Sequence, residues 1–176
     1  ARAYAPSLVP GTEPLAAGEI RVTILGSGDP WVRRRQASGS LLVEVGNAEK
    51  DFFVFDLGSG ALANFNSLGR PLESTTKVFL SHLHADHIGD IPGWLGSLAK
   101  AGRVDPVEIW GGGSEDPAYG LAAFVDHMGK ALAWDTASVQ GVRPRSGFEA
   151  IAHEIPFDRP DTIYDRNGVT ISSFPA

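Results

Sequence analysis

Residues 79–90 read FLSHLHADHIGD, and they hold three of the chain's five histidines. The run KVFLSH (77–82) is short and almost wholly apolar, as expected of a strand buried on both faces. His82 and His84, two residues apart on extended backbone, leave the chain on the same side. Asp86 and His87 follow in the turn toward a helix. Ligands enter sheet proteins at such carboxyl ends, and imidazole with carboxylate is a donor set for zinc, iron or manganese. Single histidines are usually surface residues. That reading fits poorly for three beside a carboxylate directly after a buried strand.

Outward from this stretch, EIRVTILGSG (19–28) alternates and then breaks on glycine, which predicts a strand over 20–25. SGSLLVEVG predicts a second strand over 40–46, and FFVFDLGSG a third over 52–60. ALANFNSLG (61–69) reads as a short helix, and Pro71 to Thr76 as a loop. Apolar residues at 91, 95 and 98 give helical spacing up to Gly102. VEIWG (107–111) predicts a fifth strand and PAYGLAAFVDHMGKALAW (117–134) one helix. FEAIAHEIPF (148–157) and GVTISSFPA (168–176) predict strands of a second series. The order implies a layered α/β protein with a mixed sheet over 19–176, preceded by a flexible arm over 1–18.

The chain has 176 residues, 43% apolar and 20% charged, so it can bury a real core. With no cysteine, disulfides and thiolate metal sites are excluded. No run approaches the length of a membrane span. The net charge of −6 with no basic stripe argues against a general nucleic-acid binder. The Ala/Pro/Gly-rich opening, without Met, reads as an arm left after leader removal or as a trimmed chain, and it favours an exported, periplasmic location over a cytoplasmic one.

SHLHADH (81–87) resembles the signature of the metallo-β-lactamase superfamily. FDLGSG (55–60) resembles the Asp-x-Gly element that precedes it. ILGSGDPWVRRRQASGSLLVEV (24–45) resembles the first hairpin of the ribonuclease Z and arylsulfatase-like branch, and HIGDIPGWL (87–95) the stretch that follows that branch's signature. The pairing of DPWVRRRQAS (29–38) with ALAWDTAS (131–138) is similar to exported bacterial hydrolases grouped with guanitoxin-biosynthesis metallo-hydrolases.

The resemblance implies a four-layer αββα sandwich, of which this chain supplies the first half and the start of the second. It implies two divalent metal ions, zinc first, with iron or manganese as alternatives. His82 and His84 match ligands of the first metal, and Asp86 and His87 ligands of the second. Asp86 also positions the attacking water, and Asp56 orients the metal-binding loop from behind. The implied activity is a metallo-hydrolase whose metal-bridging hydroxide attacks an ester, lactone, lactam, phosphodiester or sulfate ester. The other readings are a non-catalytic metal-binding or assembly subunit and an iron-dependent oxygen-using enzyme on the same fold.

The cluster offers four donors where two metals need about eight to ten. In the resembling branch a third His follows a segment like GVTISSFPA, just past Ala176. Hence the expectation that a C-terminal fragment of the same protein, as a second chain, completes the domain and makes it active. A homo-oligomer stays open and a membrane partner is excluded. Ala85 stands where ribonuclease Z has Gly, and no basic arm for gripping transfer RNA is seen. With the charge of −6, these points lead to a small-molecule substrate and against nucleic acid. Arg33, Arg34 and Arg35 are a solvated loop or an anion contact for substrate. His127 reads as a helix-surface residue. His153 reads as a strand-surface residue with a doubtful ligand role. Trp31, Trp94 and Trp110 read as core before pocket.

Overall fold

The computed structural model describes residues 13–31, 33–71 and 75–175. Residues 1–12 of the expected arm, Val32, part of the 71–76 loop and Ala176 lie outside them. Six strands form one mixed sheet in the order β1 (Ile20–Gly26), β2 (Ser40–Val45), β3 (Phe52–Phe55), β4 (Lys77–Phe79), β5 (Val107–Gly112), β6 (Ala150–Ile155). β1, β2 and β3 pair antiparallel, and β3 to β6 pair parallel. A two-stranded ribbon, β7 (Asp161–Arg166) with β8 (Val169–Ser173), forms a separate sheet that shares no strand pairing with the first.

Side-chain alternation sorts the sheet into two faces. One face carries Leu42, Val54, Val78 and Ile109, which pack with Phe65 of α1 (Ala61–Ser67) and Trp94, Leu95 and Leu98 of α3 (Ile91–Ala101). Phe65 meets Trp94 edge-on at 5.0 Å. Burying each such side chain contributes about 1.5–3 kcal/mol. On the other face Phe53, Phe79 and Trp110 pack against Tyr164 of β7. The layers are therefore helix, sheet and the beginning of a second sheet, as the mixed α/β expectation has it. Among the described residues no helix is long and apolar enough to cross a membrane.

Arg103 locks the helix layer. It is fully buried and donates to the carbonyls of Trp94, Leu95 and Gly147 at 2.8–3.2 Å. Burial lowers its pKa to about 10, so it remains a cation at neutral pH. Four hydrogen bonds to backbone carbonyls serve in place of a carboxylate partner.

Some elements differ from the sequence expectation. β3 stops at Phe55, because Asp56 turns with φ 58°. β4 ends at Phe79, leaving His82 and His84 in the loop beyond it. The single helix expected over 117–134 is a 3-10 turn at Pro117–Tyr119 followed by α4 (Leu121–Ala131) and α5 (Ala133–Ser138). Asp116 caps the turn through Ala118 N–H, and Leu132 leaves the helical basin at ψ 5°.

Candidate metal centre

The histidine stretch follows β4 at the carboxyl end of the sheet's parallel part. Ser81 to His84 run out of β4, His84 stands at the N-terminus of α2 (Ala85–Ile88), and α2 turns back toward the loop after β3. Two backbone bonds fasten it there. Leu57 N–H donates to His87 O at 2.7 Å and Asp90 N–H to Leu57 O at 2.8 Å. Gly58 fits closely under α2: a Cβ there would stand 2.1 Å from Asp86 O.

Within this frame the rings converge. His82 and His87 centroids are 4.1 Å apart, and His82 and His84 centroids 4.6 Å. Asp86 Oδ2 lies 3.4 Å from His87 Nε2. Asp56 stands behind them and accepts from His87 Nδ1 at 2.7 Å, from Ser81 N–H at 2.8 Å and from the Ser81 hydroxyl at 2.8 Å. Its left-handed backbone, tolerable for aspartate, aims the carboxylate at these donors. Asp56 thus touches the loop that the resemblance implies it orients. Ser81 carries no spacing signal that would have singled it out.

Burial, then the neighbouring His87 and His84, hold the His82 imidazole below the usual histidine pKa of 6.5. A lowered value favours the neutral form that a metal ligand needs. Among the described residues no group of three or more His, Asp or Glu side chains closes into a ready metal cage. The donors nevertheless fit a metal in kind. His87 gives its Nδ1 to a carboxylate and turns Nε2 toward Asp86, the arrangement of a ligating imidazole supported from behind.

The remaining sequence candidates fall elsewhere. His127 is exposed on α4. His153 lies on β6, two strands from β4, where its ring stacks on Trp110 at 4.6 Å and Nε2 meets Glu108 at 3.0 Å. Trp94 and Trp110 are core residues, but Trp31 is 74% exposed. The arginines sit on a small hairpin within the β1–β2 loop, closed by a bridge between Arg33 and Gln36. Arg33 is tied to Asp29 at 3.1 Å, while Arg34 and Arg35 are exposed at the tip. The hairpin's base abuts the cluster. Ser38 N–H donates to Ser59 O, Gly58 N–H donates to Gly39 O, and Gly39 packs against the His87 ring.

A family model described as anti-Pycsar protein Apyc1 matches residues 20–96. Ribonuclease Z of Lacticaseibacillus casei is 30% identical over 159 residues, 89% of this chain and 48% of that protein. Ribonuclease Z of Methanosarcina acetivorans is 32% identical over 92 residues, 52% of this chain and 29% of that protein. The chain thus spans about half or less of the length of the curated relatives it matches. Human tRNase Z, short form, superposes with TM-score 0.64 at 20% identity over 87% of this chain and 57% of that one. The metallo-β-lactamase fold protein YhfI of Bacillus subtilis gives TM-score 0.53 at 20% identity over 81% and 48%.

These relatives correct one expectation. A small-molecule substrate with nucleic acid unlikely does not stand beside proteins named for cleaving RNA. The charge of −6 does not exclude nucleic acid, because it averages over the whole chain, whereas phosphate recognition depends on cations placed at a site.

Proposed function

The chain belongs to the metallo-β-lactamase superfamily, on its ribonuclease Z side, and from that membership we propose that it forms part of a metal-dependent phosphodiesterase acting on RNA. The observation that carries this is the convergence of His82, His84, Asp86 and His87 at the sheet's carboxyl end, braced by Asp56. These four side chains would hold two divalent ions, zinc first. The chemistry such ions supply is a water made acidic near neutral pH and charge neutralisation at a phosphodiester. Asp86, an acceptor, would orient that water. His82 and His84 present their rings side by side, and Asp56 holds His87 in place.

Four donors are about half of what two ions require. The rest would come from the part of the fold that corresponds to the remaining length of the relatives. Arg34 and Arg35, on a hairpin rooted beside His87, supply guanidinium groups for substrate phosphates. The exposed indole of Trp31 gives an adjacent unpaired base a surface to stack on.

The test is cleavage of a structured RNA, a transfer-RNA precursor among the substrates, by the full-length protein with and without added zinc. Zinc-dependent scission that disappears in His82→Ala supports the reading. Intact RNA under all metals tried, with turnover of a sulfate ester or lactone instead, would sink it.

A further inference from the structure

The hydroxyl of Ser81 lies between three groups. Its Oγ is 2.8 Å from Asp56 Oδ2, 3.0 Å from His82 Nδ1 and 3.4 Å from His87 Nδ1. Counting protons assigns these contacts. An ionised carboxylate has lone pairs and no proton to give, so the proton in the 2.8 Å contact belongs to Ser81. A serine hydroxyl has one proton. With it committed to Asp56, the 3.0 Å contact must be made by a proton on His82 Nδ1, donated to Ser81 Oγ. The same count at the 2.7 Å contact puts a proton on His87 Nδ1. The second oxygen of Asp56 accepts Ser81 N–H at 2.8 Å, so one carboxylate fixes both the backbone and the hydroxyl of Ser81.

We infer that Ser81 is a positioning residue: through its hydroxyl Asp56 sets the tautomer of His82, as it sets that of His87 directly, and leaves Nε2 of both rings free for a metal. This rests on reading the cluster as a metal centre. His84 stands outside the relay. Among the described residues no hydrogen bond holds its ring, so it serves as an internal control.

The experiment is nitrogen-15 NMR of the full-length protein with labelled histidine, free of metal, where the two neutral tautomers have separate nitrogen shifts. His82 and His87 are expected with the proton on Nδ1. Ser81→Ala should remove that preference at His82 and leave His84 unchanged. It should also weaken zinc binding, read by chelator competition, by roughly 10- to 100-fold, and Ser81→Thr, which keeps the hydroxyl, should restore both. A wild-type His82 protonated on Nε2, or a His82 tautomer indifferent to Ser81→Ala, overturns the inference. Should Ser81→Ala fail to fold, the wild-type tautomers alone decide. Neither readout uses turnover. Zinc binding with these tautomers but no RNA cleavage would end the RNA reading and leave the role of Ser81 standing, and cleavage with His82 protonated on Nε2 would do the reverse.

Discussion

At the scale of single residues, the proposed site depends on where protons and guanidinium groups are placed. Asp56 accepts three hydrogen bonds with two oxygens. Asp56→Asn keeps the shape and the left-handed backbone but replaces one acceptor with an NH2 donor, which must then face Ser81 or His87. Zinc affinity of the full-length protein should fall by roughly 10- to 100-fold while its fold persists, and an affinity equal to wild type would show that Asp56 is not the support. Arg34 and Arg35 give a second prediction. If each meets an RNA phosphate, removing both should lower the salt slope of RNA binding by about 1.4, at about 0.7 per contact for a single strand. An unchanged slope in binding titrations would return the pair to solvated loop. The histidine cluster was legible because three imidazoles and a carboxylate in one short span have little other reason to be there. Ser81 was not, because a serine before a histidine is common and its role appears only when Asp56's acceptors are counted. Trp31 was not either. Sequence does not separate it from Trp94 and Trp110, and exposure does.

At the scale of elements, most strands and helices followed from hydrophobic period, and the failures have local causes. The β7–β8 ribbon was half seen. Its turn, Asn167-Gly168, has φ of 57° and 74°, the pattern of a tight hairpin turn that Asn-Gly favours. The strand before it was hidden because a bulge between Thr162 and Tyr164 breaks the two-residue alternation, and so Ile163 and Tyr164 both join the apolar face. Asp51 anchors this ribbon to the sheet. It takes Lys77 Nζ at 2.5 Å, and Asn47 and Asn167 side chains at 2.9 Å each. Burial pushes its carboxyl up, and the hydrogen bonds from Lys77, Asn167 and Asn47 outweigh that and hold it below the usual value of 3.8. The sign follows. A carboxylate whose folded pKa lies below its unfolded one adds stability above the unfolded value and loses it as pH falls through the folded value. The stability difference between wild type and Asp51→Asn, measured by denaturant unfolding, should be about 1–3 kcal/mol at neutral pH and should vanish as the solution is acidified below pH 3.8. A difference that persists unchanged into acid would mean that the charge of Asp51 does not hold the ribbon.

At the scale of the whole molecule, the layers decide what remains to be covered. The helix side of the sheet is closed by α1 and α3. Among the described residues, the opposite side is closed only over Phe53, Phe79 and Trp110, by the ribbon. Beside that closed part, on the same face, β1 and β2 present Ile20, Val22, Ile24 and Leu41 at 65%, 58%, 68% and 38% exposure. Register places Ile24 opposite Leu41, and Leu41 opposite Phe55, so this apolar stripe runs without a break into the covered patch. A soluble protein rarely leaves such a continuous apolar face to water. Sequence had already read these positions as one side of an alternating strand, yet alternation says only that a face is apolar and not what lies on it. The relatives are about twice as long as this chain, and we propose that in a protein of that length further strands extend the β7–β8 sheet across the stripe. Val22→Lys separates the two states. Under a second sheet the ammonium is buried without a partner, and the full-length protein should lose more than about 3 kcal/mol in denaturant unfolding. On an open face the same change should stay within about 0.5 kcal/mol, and that result would mean that nothing packs on β1. The same substitution in residues 1–176 alone should be near neutral and should reduce binding of a hydrophobic dye. Only a covered stripe in the long protein and an open one in the short chain account for both outcomes together.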